Sequence, residues 1–252
     1  MKKDLVQRIS VASMFKRREV LGFLSGTAAI SLVGCLRQQS AAVEPTNTSQ
    51  TPTPSCRVKP QQTQGPYFVD EKLKRSDIRS DPSDNSVKQG VPLRLVFHVS
   101  KVNEGSCTPL KGATVDIWHC DAEGIYSDVT DPSFNTVGKK FLRGYQITDA
   151  NGTAQFLTIY PGWYQGRTVH IHFKIRTHSV SQPSYEFTSQ LYFEDALTDQ
   201  IYAQPPYAAI GQRTIKNDQD GIFGGEGEQL LLQLTKEAEG YVGTFDIGLE
   251  IA

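Results

Sequence analysis

The sequence has little of several features that would point to particular classes of protein. Its 252 residues contain four cysteines and two methionines, and 26 Lys and Arg side chains nearly balance 27 Asp and Glu side chains. Four cysteines are too few for a disulfide scaffold, and without a basic excess there is no reason to expect a nucleic-acid partner. No apolar run reaches the length of an ordinary transmembrane helix, which excludes a multi-span membrane protein.

The composition instead favours a folded domain rich in β structure. Hydrophobic residues make up 38% of the chain, so most of it can bury a core. Twelve phenylalanines and ten tyrosines are present, and aromatic side chains suit pleated, half-buried surfaces. Residues 63–252 have a length that suits one domain.

Residues 1–34 predict an export signal. A basic stretch with the pair Arg17-Arg18 precedes short apolar stretches, which is typical of a leader, and the pair resembles a twin-arginine signal. The segment Leu32-Val-Gly-Cys35 resembles a bacterial lipobox, which predicts a lipid anchor on Cys35 as the only membrane contact. The alternatives are an ordinary basic amphipathic start and a buried cysteine. We therefore expect an exported protein, periplasmic or otherwise extracytoplasmic, with Cys35 as its membrane anchor.

Residues 35–62 are predicted to form a disordered tether, because a composition rich in Pro, Thr, Ser and Gln cannot bury apolar surface. Three cysteines follow Cys35, so at most one pair of them can form a disulfide. A bond between Cys56 and Cys107 is favoured, since it would fasten the tether to a turn. Pairings with Cys120 stay open, because connectivity does not follow from spacing.

Alternating hydrophobic residues predict a series of short strands, as in Leu93–Val99 and Val169–Ile175. An Asn-Gly turn within Asp149–Gly152 lies between two such patterns, which predicts a β-hairpin there. A helical pattern is confined to a short piece near Asp195–Tyr202. The sequence thus predicts an all-β fold, an antiparallel β-sandwich with long loops and few short helices.

The sharpest chemical feature is His170-Ile-His172. On a strand, residues i and i+2 point to the same face, so both imidazoles can reach one point; the alternative is two exposed histidines on a sheet. Tyr164 lies in a Pro-Gly loop before the pair, and Tyr126 lies in a Gly-containing loop after a strand. Phenolate is a hard donor that favours Fe(III), whereas Zn or Cu sites usually show thiolates or a third histidine.

Several separated blocks resemble the intradiol ring-cleavage dioxygenases, and most closely their protocatechuate dioxygenase branch. The match runs in order over about residues 56–200. The blocks are Gly65-Pro-Tyr67, Asp116-x-Trp-x-Cys-Asp-Ala-x-Gly-x-Tyr126, Phe141-Leu-Arg-Gly144, Pro161-Gly-Trp-Tyr164, Gly166-Arg167 and His170-Ile-His172-Phe173. The resemblance implies that residues 63–252 form a β-sandwich catalytic domain.

The resemblance also implies a non-haem Fe(III) centre that cleaves catechol-type rings between the two hydroxylated carbons with O2, giving muconate-type diacids. Tyr164 would be the ligand that the catechol displaces, and it would take up a catechol proton as a catalytic base. The implied metal ligands are Tyr126, Tyr164, His170 and His172.

Three further residues match positions near the substrate in this family. Arg167 would stabilise negative charge on the ring, the alternative being an arginine paired with a carboxylate. Gln190 would act in the same pocket or lie at a solvated strand position, and Tyr67 would line the pocket or form a packing turn. Trp118 is expected in the hydrophobic core. Three histidines are expected not to bind the metal: His98, His119 and His178.

The sequence departs from the usual members in ways that leave the substrate open. Only six residues separate Tyr164 from His170, and no helical linker domain precedes the strands. Catechol, hydroxyquinol, protocatechuate and lignin-derived catechols all stay possible, as does a homo-oligomer. The competing interpretations are an iron-free exported β-sandwich that binds aromatic or glycan ligands, and a Cu or Zn protein using His170 and His172.

Overall fold

A computed structural model describes residues 57–104, 106–177 and 184–251. The strands in these ranges are β1 (Pro92–Asn103), β2 (Ser106–Pro109), β3 (Thr114–Trp118), β4 (Thr130–Asp131), β5 (Phe134–Asn135), β6 (Arg143–Ile147), β7 (Thr153–Ile159), β8 (His170–Arg176), β9 (Glu186–Tyr192), β10 (Gln233–Glu237) and β11 (Gly240–Leu249). The helices there are α1 (Asp195–Tyr202) and the 3-10 turns Tyr207–Ile210, Asn217–Gln219 and Gly227–Leu230. The predicted all-β class and the predicted short helix are confirmed.

The first sheet is organised around β1. This strand pairs with β11 on one edge and with β7 and β2 on the other, and β10 extends the sheet beyond β11. The β1–β11 pair is parallel, with Leu93 opposite Tyr241 and Lys101 opposite Leu249, whereas the other pairs of named strands are antiparallel. The domain's long first and last strands are far apart in the chain, so no hairpin turn constrains their relative direction.

The second sheet has the order β6-β3-β8-β9 and is antiparallel throughout. Its strand β8 is central and reads His-Ile-His-Phe-Lys-Ile-Arg, so its apolar and polar side chains alternate. The apolar set faces the first sheet: Phe173 of β8 lies 5.4 Å, centroid to centroid, from both Phe97 of β1 and Phe245 of β11. Contacts of this kind close the sandwich core, whose aliphatic members are mostly inaccessible to solvent.

The polar face of β8 is covered as well, by the segment that precedes β1. Gln190 Nε2 on β9 donates to the backbone carbonyl of Thr63, and Lys174 Nζ on β8 donates to Gln64 Oε1. Further along, the Phe68 ring packs 4.7 Å, centroid to centroid, from the Trp118 ring. This layer buries a polar sheet face that would otherwise be open to water, and it encloses the histidine pair.

The predicted hairpin at Asp149–Gly152 is wrong, although the turn itself forms. The amide of Gly152 donates to the carbonyl of Asp149, and Gly152 has φ +73°, as a turn of this kind requires. The flanking strands belong to different sheets, because β6 pairs with β3 and β7 pairs with β1. The turn therefore carries the chain across the sandwich: local turn chemistry specified the reversal, and pairing with more distant strands decided the sheet.

The predictions for the N-terminal part of the chain lie largely outside the described residues. These predictions are the export signal of residues 1–34 with its lipobox-like end, and most of the tether of residues 35–62. Cys56 of the predicted Cys56–Cys107 disulfide also lies outside them. Cys107 is disulfide-bonded, and Cys120 is free and buried. In the three described ranges, no helix is both long enough and apolar enough to cross a membrane.

Candidate metal centre

Strand β8 places two imidazoles side by side. His170 and His172 occupy alternate positions of the strand, so both project from the face opposite the core. Their Nε2 atoms are 3.1 Å apart, and the side chains are almost completely buried. Two imidazole nitrogens at this distance can bind the same ion.

Neighbouring groups fix the orientation of each ring. His170 Nδ1 lies 2.7 Å from the carbonyl oxygen of Thr168, an acceptor, so Nδ1 carries the proton and Nε2 presents a lone pair. The Trp118 ring stacks on His172 with a centroid distance of 5.0 Å and an interplanar angle of 3°. Gly65 has φ +67°, and a Cβ there would lie 3.2 Å from His172 Cε1, so glycine allows the covering segment to approach the ring.

Two tyrosines come from loops on either side of the pair. Tyr164, in the loop between β7 and β8, is half-buried, and its hydroxyl oxygen lies 3.1 Å from His170 Nε2. Tyr126, in the loop after β3, is buried, and its ring centroid lies 5.7 Å from that of Tyr164 and 6.4 Å from that of His172. Its hydroxyl makes no hydrogen bond with any described residue, which is unusual for a buried polar atom.

Burial sets the protonation of these four groups in the protein without metal. It lowers the pKa of His170 to about 3, helped by the positive charge of Arg167, and it lowers the pKa of His172 well below its usual value. It also raises the pKa of Tyr126 and Tyr164, because the phenolate form loses hydration. The histidines are therefore neutral and free to donate lone pairs, and each phenol holds a proton that a bound cation would have to displace.

Arg167 is held beside the pair by a carboxylate. Its Nε donates to Asp220 Oδ2 at 2.8 Å, its NH2 donates to Gln190 Oε1 at 2.7 Å, and its NH1 lies 3.5 Å from His170 Nε2. Burial disfavours charge on Asp220, but hydrogen bonds from the Thr168 amide and from Arg167 lower its pKa. The guanidinium is thus part of a neutral ion pair, and Gln190, which is fully buried, is not at a solvated position.

Tyr67 lies on the other side of the tyrosines. Its ring centroid is 4.6 Å from that of Tyr126, and its hydroxyl donates to Asp131 Oδ2 at 2.7 Å. Burial and this hydrogen bond raise the pKa of Tyr67 to about 12, so the phenol stays protonated. Tyr67 is therefore a wall of the site and a hydrogen-bond donor, and it does not add a third anionic oxygen beside Tyr126 and Tyr164.

A cavity of about 410 Å³ opens beside Tyr164. Its lining residues come from the loop after β3, the β4–β5 hairpin, the loop before β8, the covering segment and the 3-10 turn Tyr207–Ile210. They are Tyr67, Glu123, Gly124, Ile125, Asp131, Ser133, Phe134, Trp163, Tyr164, Gln165 and Ile210. The volume and the aromatic walls suit a ligand with one ring. Of the described residues that line it, none is Arg167 or Gln190, which lie beside the histidines instead.

The histidines left out of the predicted ligand set lie elsewhere. His98 Nδ1 lies 2.8 Å from Asp246 Oδ1 on the first sheet. His119 is buried on the core side of β3's end, and its two ring nitrogens lie 2.6 Å from Thr158 Oγ1 and 2.8 Å from the Cys120 carbonyl oxygen. His178 lies outside the described residues. Within those residues, no group of three or more His, Cys, Asp or Glu side chains could hold a metal ion.

Sequence reasoning missed several residues that shape the site. Asp220 fixes Arg167 although more than 50 positions separate them, and its Asn-Asp-Gln-Asp-Gly context gives only a turn signal. Asp131 orients Tyr67 from a two-residue strand that carries no recognisable pattern. Trp118 is buried in a hydrophobic cluster, as expected of a core residue, but this cluster also contains Tyr126, and the Trp118 ring stacks on His172.

Comparison with known proteins identifies the family of the chain. A family model described as "Dioxygenase" matches residues 63–229. The chain belongs to the intradiol ring-cleavage dioxygenases. It is similar to an intradiol ring-cleavage dioxygenase of Tetranychus urticae, with 31% identity and a TM-score of 0.64 over 77% of this chain and 94% of that one.

Curated dioxygenases of this family match over shorter stretches. The protocatechuate 3,4-dioxygenase beta chain of Burkholderia cepacia is 35% identical over 38% of this chain and 44% of its own length. The catechol 1,2-dioxygenase of Candida albicans is 30% identical over 57% of this chain and 46% of its own. The chain thus spans less than half the length of these two curated relatives.

Proposed function

We propose that this intradiol dioxygenase uses a non-haem Fe(III) ion held by Tyr126, Tyr164, His170 and His172 to cleave catechols. The ring would open between the two hydroxylated carbons with incorporation of both atoms of O2, giving muconate-type diacids. The observation that carries the proposal is the convergence of Tyr164 Oη and the two histidine Nε2 atoms, in 3.1 Å steps, beside a cavity that fits one aromatic ring.

The donor set fits iron(III). The two imidazoles are neutral, and the hydrogen bond from His170 Nδ1 to the Thr168 carbonyl points Nε2 away from the backbone. The buried Tyr126 hydroxyl lacks a partner among the described residues, and a hard cation would satisfy it as phenolate. Cys120, the described free thiol, points its Sγ to the Gly162 carbonyl, so a softer thiolate site is not built here.

The two tyrosines are suited to different tasks. When bound, the ion would act as a Lewis acid that draws protons from coordinated hydroxyls and activates the ring toward O2. Tyr164 is half-buried and lines the cavity, so its oxygen can reach a catechol hydroxyl and accept its proton. Tyr126 is buried behind it and beneath Tyr67, so it stays in place during turnover.

Arg167 would stabilise negative charge on the substrate ring from beside His170. Its guanidinium is held at two points, by Asp220 and by Gln190, so little side-chain freedom has to be lost when the substrate arrives. Gln190 itself is fixed by donation from its Nε2 to the Thr63 carbonyl. This chain of contacts orients the guanidinium toward the histidine pair rather than toward solvent.

The direct test is the iron content, colour and O2 uptake of the purified protein. The proposal expects a red-brown protein with one iron per chain that consumes O2 when catechol is added. Tyr164→Phe should weaken colour and activity together, because it removes a phenolate donor that lines the cavity. Tyr241→Phe, at a half-buried tyrosine on β11, is the matched control and should change neither.

A colourless, iron-free protein that binds aromatic or glycan ligands without taking up O2 would replace the enzyme with a binding module. Stoichiometric zinc or copper in place of iron would replace the metal assignment. A fully coloured and active Tyr164→Phe variant would remove Tyr164 from the ligand set.

We also propose that the enzyme is exported by the twin-arginine route and anchored through Cys35. This rests on the sequence of residues 1–34, which lie outside the described residues. Because the twin-arginine route carries folded proteins, iron can be inserted before export. Replacing Arg17 and Arg18 by lysine should leave the protein in the cytoplasm, and Cys35→Ser should release it from membranes. Export of iron-loaded protein by the doubly substituted chain would contradict the route.

A further inference from the structure

The cavity beside Tyr164 has carboxylates on two of its walls. Glu123 comes from the loop after β3, and Asp131 comes from the β4–β5 hairpin. No Lys, Arg or His is among the cavity-lining residues in the described part of the chain. A ring substituent in this cavity therefore meets two negative charges and no positive one.

The carboxylate of Asp131 is fixed and stays ionised. It accepts a hydrogen bond of 2.7 Å from the Tyr67 hydroxyl and one of 2.9 Å from the Ser133 amide. The first of these bonds is the largest of the effects that lower the pKa of Asp131. Since Tyr67 also packs on Tyr126, the negative charge is anchored to the aromatic cluster of the proposed iron site.

The backbone that carries Glu123 is equally well defined. The Asp121 carboxylate accepts from the amides of Glu123 and Ile125, at 3.0 Å each, and its other oxygen accepts from Lys88 Nζ at 2.8 Å. Between them Gly124 has φ +82°, and a Cβ there would lie 2.2 Å from the Trp163 carbonyl oxygen. The loop is thus pressed against the opposite wall, which holds the exposed Glu123 side chain at the cavity mouth.

Two nearby cations are ion-paired with buried aspartates, and a third, Arg143, is buried and donates to the backbone carbonyls of Tyr67 and Ser127. Arg167 is paired with Asp220, whose side chain is 1% exposed, and Lys88 is paired with Asp121, whose side chain is 4% exposed. A substrate carboxylate could recruit either cation only by leaving a buried aspartate without its counter-ion, which is costly.

We infer that this site selects catechols whose ring substituent is uncharged or cationic, and that Glu123 and Asp131 discriminate against catechols that carry a carboxylate. The inference deepens the proposed function and rests on it. It narrows the open set of substrates by excluding ring carboxylates such as that of protocatechuate.

Coulomb's law sets the expected size of the effect. Two unit charges separated by roughly 7 Å in a medium of dielectric constant about 60 repel each other enough to weaken binding about fourfold, so two carboxylates give roughly tenfold or more. Glu123 is exposed, so added salt should reduce its share, because mobile ions screen exposed charges.

A matched pair of ligands isolates the charge. 3,4-Dihydroxyphenylacetamide and 3,4-dihydroxyphenylacetate are nearly equal in size, and a methylene separates the substituent from the ring in both. We expect kcat/KM for the amide to exceed that for the acid by about tenfold or more. 4-(2-Aminoethyl)catechol should be used at least as well as the amide.

Binding without turnover gives an independent readout. Calorimetric titration of the purified protein under strictly anaerobic conditions should show the same preference of about tenfold for the amide over the acid. If the preference appears in binding but no catechol supports O2 uptake, the proposed function fails and the selectivity stands. If catechol is turned over but acid and amide are bound and used equally, the selectivity fails and the function stands.

Variants assign the effect to the two carboxylates. Glu123→Gln and Asp131→Asn should each reduce the amide-to-acid ratio about threefold to fourfold, and together they should bring it close to one. Glu239→Gln removes the same charge in the exposed turn between β10 and β11 and should leave the ratio unchanged. Glu123→Gln alone, at an exposed side chain, tests the idea even if Asp131→Asn disturbs Tyr67. A ratio that does not change in Glu123→Gln and the double variant would overturn the inference, as would a protein that binds neither ligand.

Discussion

The two faces of strand β8 are buried to a similar degree but have different roles. Ile171, Phe173 and Ile175 face the first sheet and belong to the main hydrophobic core cluster. His170 and His172 face the covering segment, where their neighbours are tyrosines and an arginine. Burial by itself therefore does not distinguish the core from the site in this protein.

The two faces also differ in a few buried polar atoms that lack a hydrogen-bond partner. His119 sits toward the core side, and both its nitrogens have hydrogen-bonding neighbours, so it is a satisfied structural histidine. On the other face, Tyr126 Oη and His172 Nδ1 are buried without a hydrogen bond to any described residue. An unpaired buried group costs stability, and a bound cation would satisfy the Tyr126 hydroxyl.

The largest effect of a substitution is expected on the core face of β8, where it lowers stability. Phe173→Ala removes a ring that contacts Phe97 and Phe245, and it should lower the free energy of unfolding by about 3–5 kcal/mol. Chemical denaturation of the metal-free protein measures this. Phe173→Leu, which keeps most of the volume, should cost less than half as much. Equal losses for the two variants would show that this face is not closely packed.

On the site face the expected effect is on activity instead. His172→Ala should lower kcat/KM for catechol at least about 100-fold with loss of iron and colour, since changes to partners of metal ligands alone cost 10–100-fold. The free energy of unfolding of the metal-free protein should change by less than about 2 kcal/mol. A His172→Ala protein that keeps its iron would show that the site face does not bind the metal through His172.

A smaller effect is expected from the residue that supports Arg167. Asp220→Asn leaves the guanidinium without its counter-ion and removes its main anchor, so kcat should fall about tenfold while iron is retained. Steady-state kinetics with metal analysis checks both parts. Asp218→Asn, an exposed neighbour in the same loop, is the control and should behave like the wild type. Loss of iron in Asp220→Asn would assign Asp220 to the metal site rather than to Arg167.

The smallest effect concerns the pH dependence of stability on the core face. Burial lowers the pKa of His119 to about 4, from 6.5 for an exposed histidine. As the pH falls, His119 is protonated in the unfolded chain before it is protonated in the folded protein. Its contribution to the free energy of unfolding is therefore complete above pH 6.5 and is lost progressively as the pH falls toward 4.

Between pH 8 and pH 5.5 this histidine should account for about 1 kcal/mol of lost stability. Chemical denaturation of the wild type and of His119→Gln at both pH values measures this loss. It is the difference between the two proteins in how much their free energy of unfolding changes with pH, because the other histidines contribute equally to both. Parallel slopes for the two proteins would show that His119 is not buried in its neutral form.

Much of the site was predictable because its signals are local. The i, i+2 spacing of His170 and His172 on a recognisable strand fixes which way both rings point, and the loop positions of Tyr126 and Tyr164 follow from nearby glycines. The class of fold followed from alternation of apolar residues, and the short helix from a single periodic stretch. These features depend on a few consecutive residues, so a sequence contains them completely.

Strand pairing and the outer surroundings of the site were not predictable in the same way. The Asn-Gly turn before Thr153 predicts a hairpin, but β7 pairs with β1 along its whole length and β6 pairs with β3. The carboxylates of Asp131 and Asp220 reach Tyr67 and Arg167 from distant loops whose sequences show only turn composition.

The amino-acid sequence by itself determined the donor atoms, their spacing along β8 and the β-rich class of the domain, because covalent geometry and local periodicity fix all three. Tertiary structure alone decided that the polar face of β8 is covered, that Arg167 is neutralised by Asp220 and that two carboxylates border the cavity. Those features arise where segments far apart in the chain meet, and such meetings depend on the balance of burial and pairing over the whole domain.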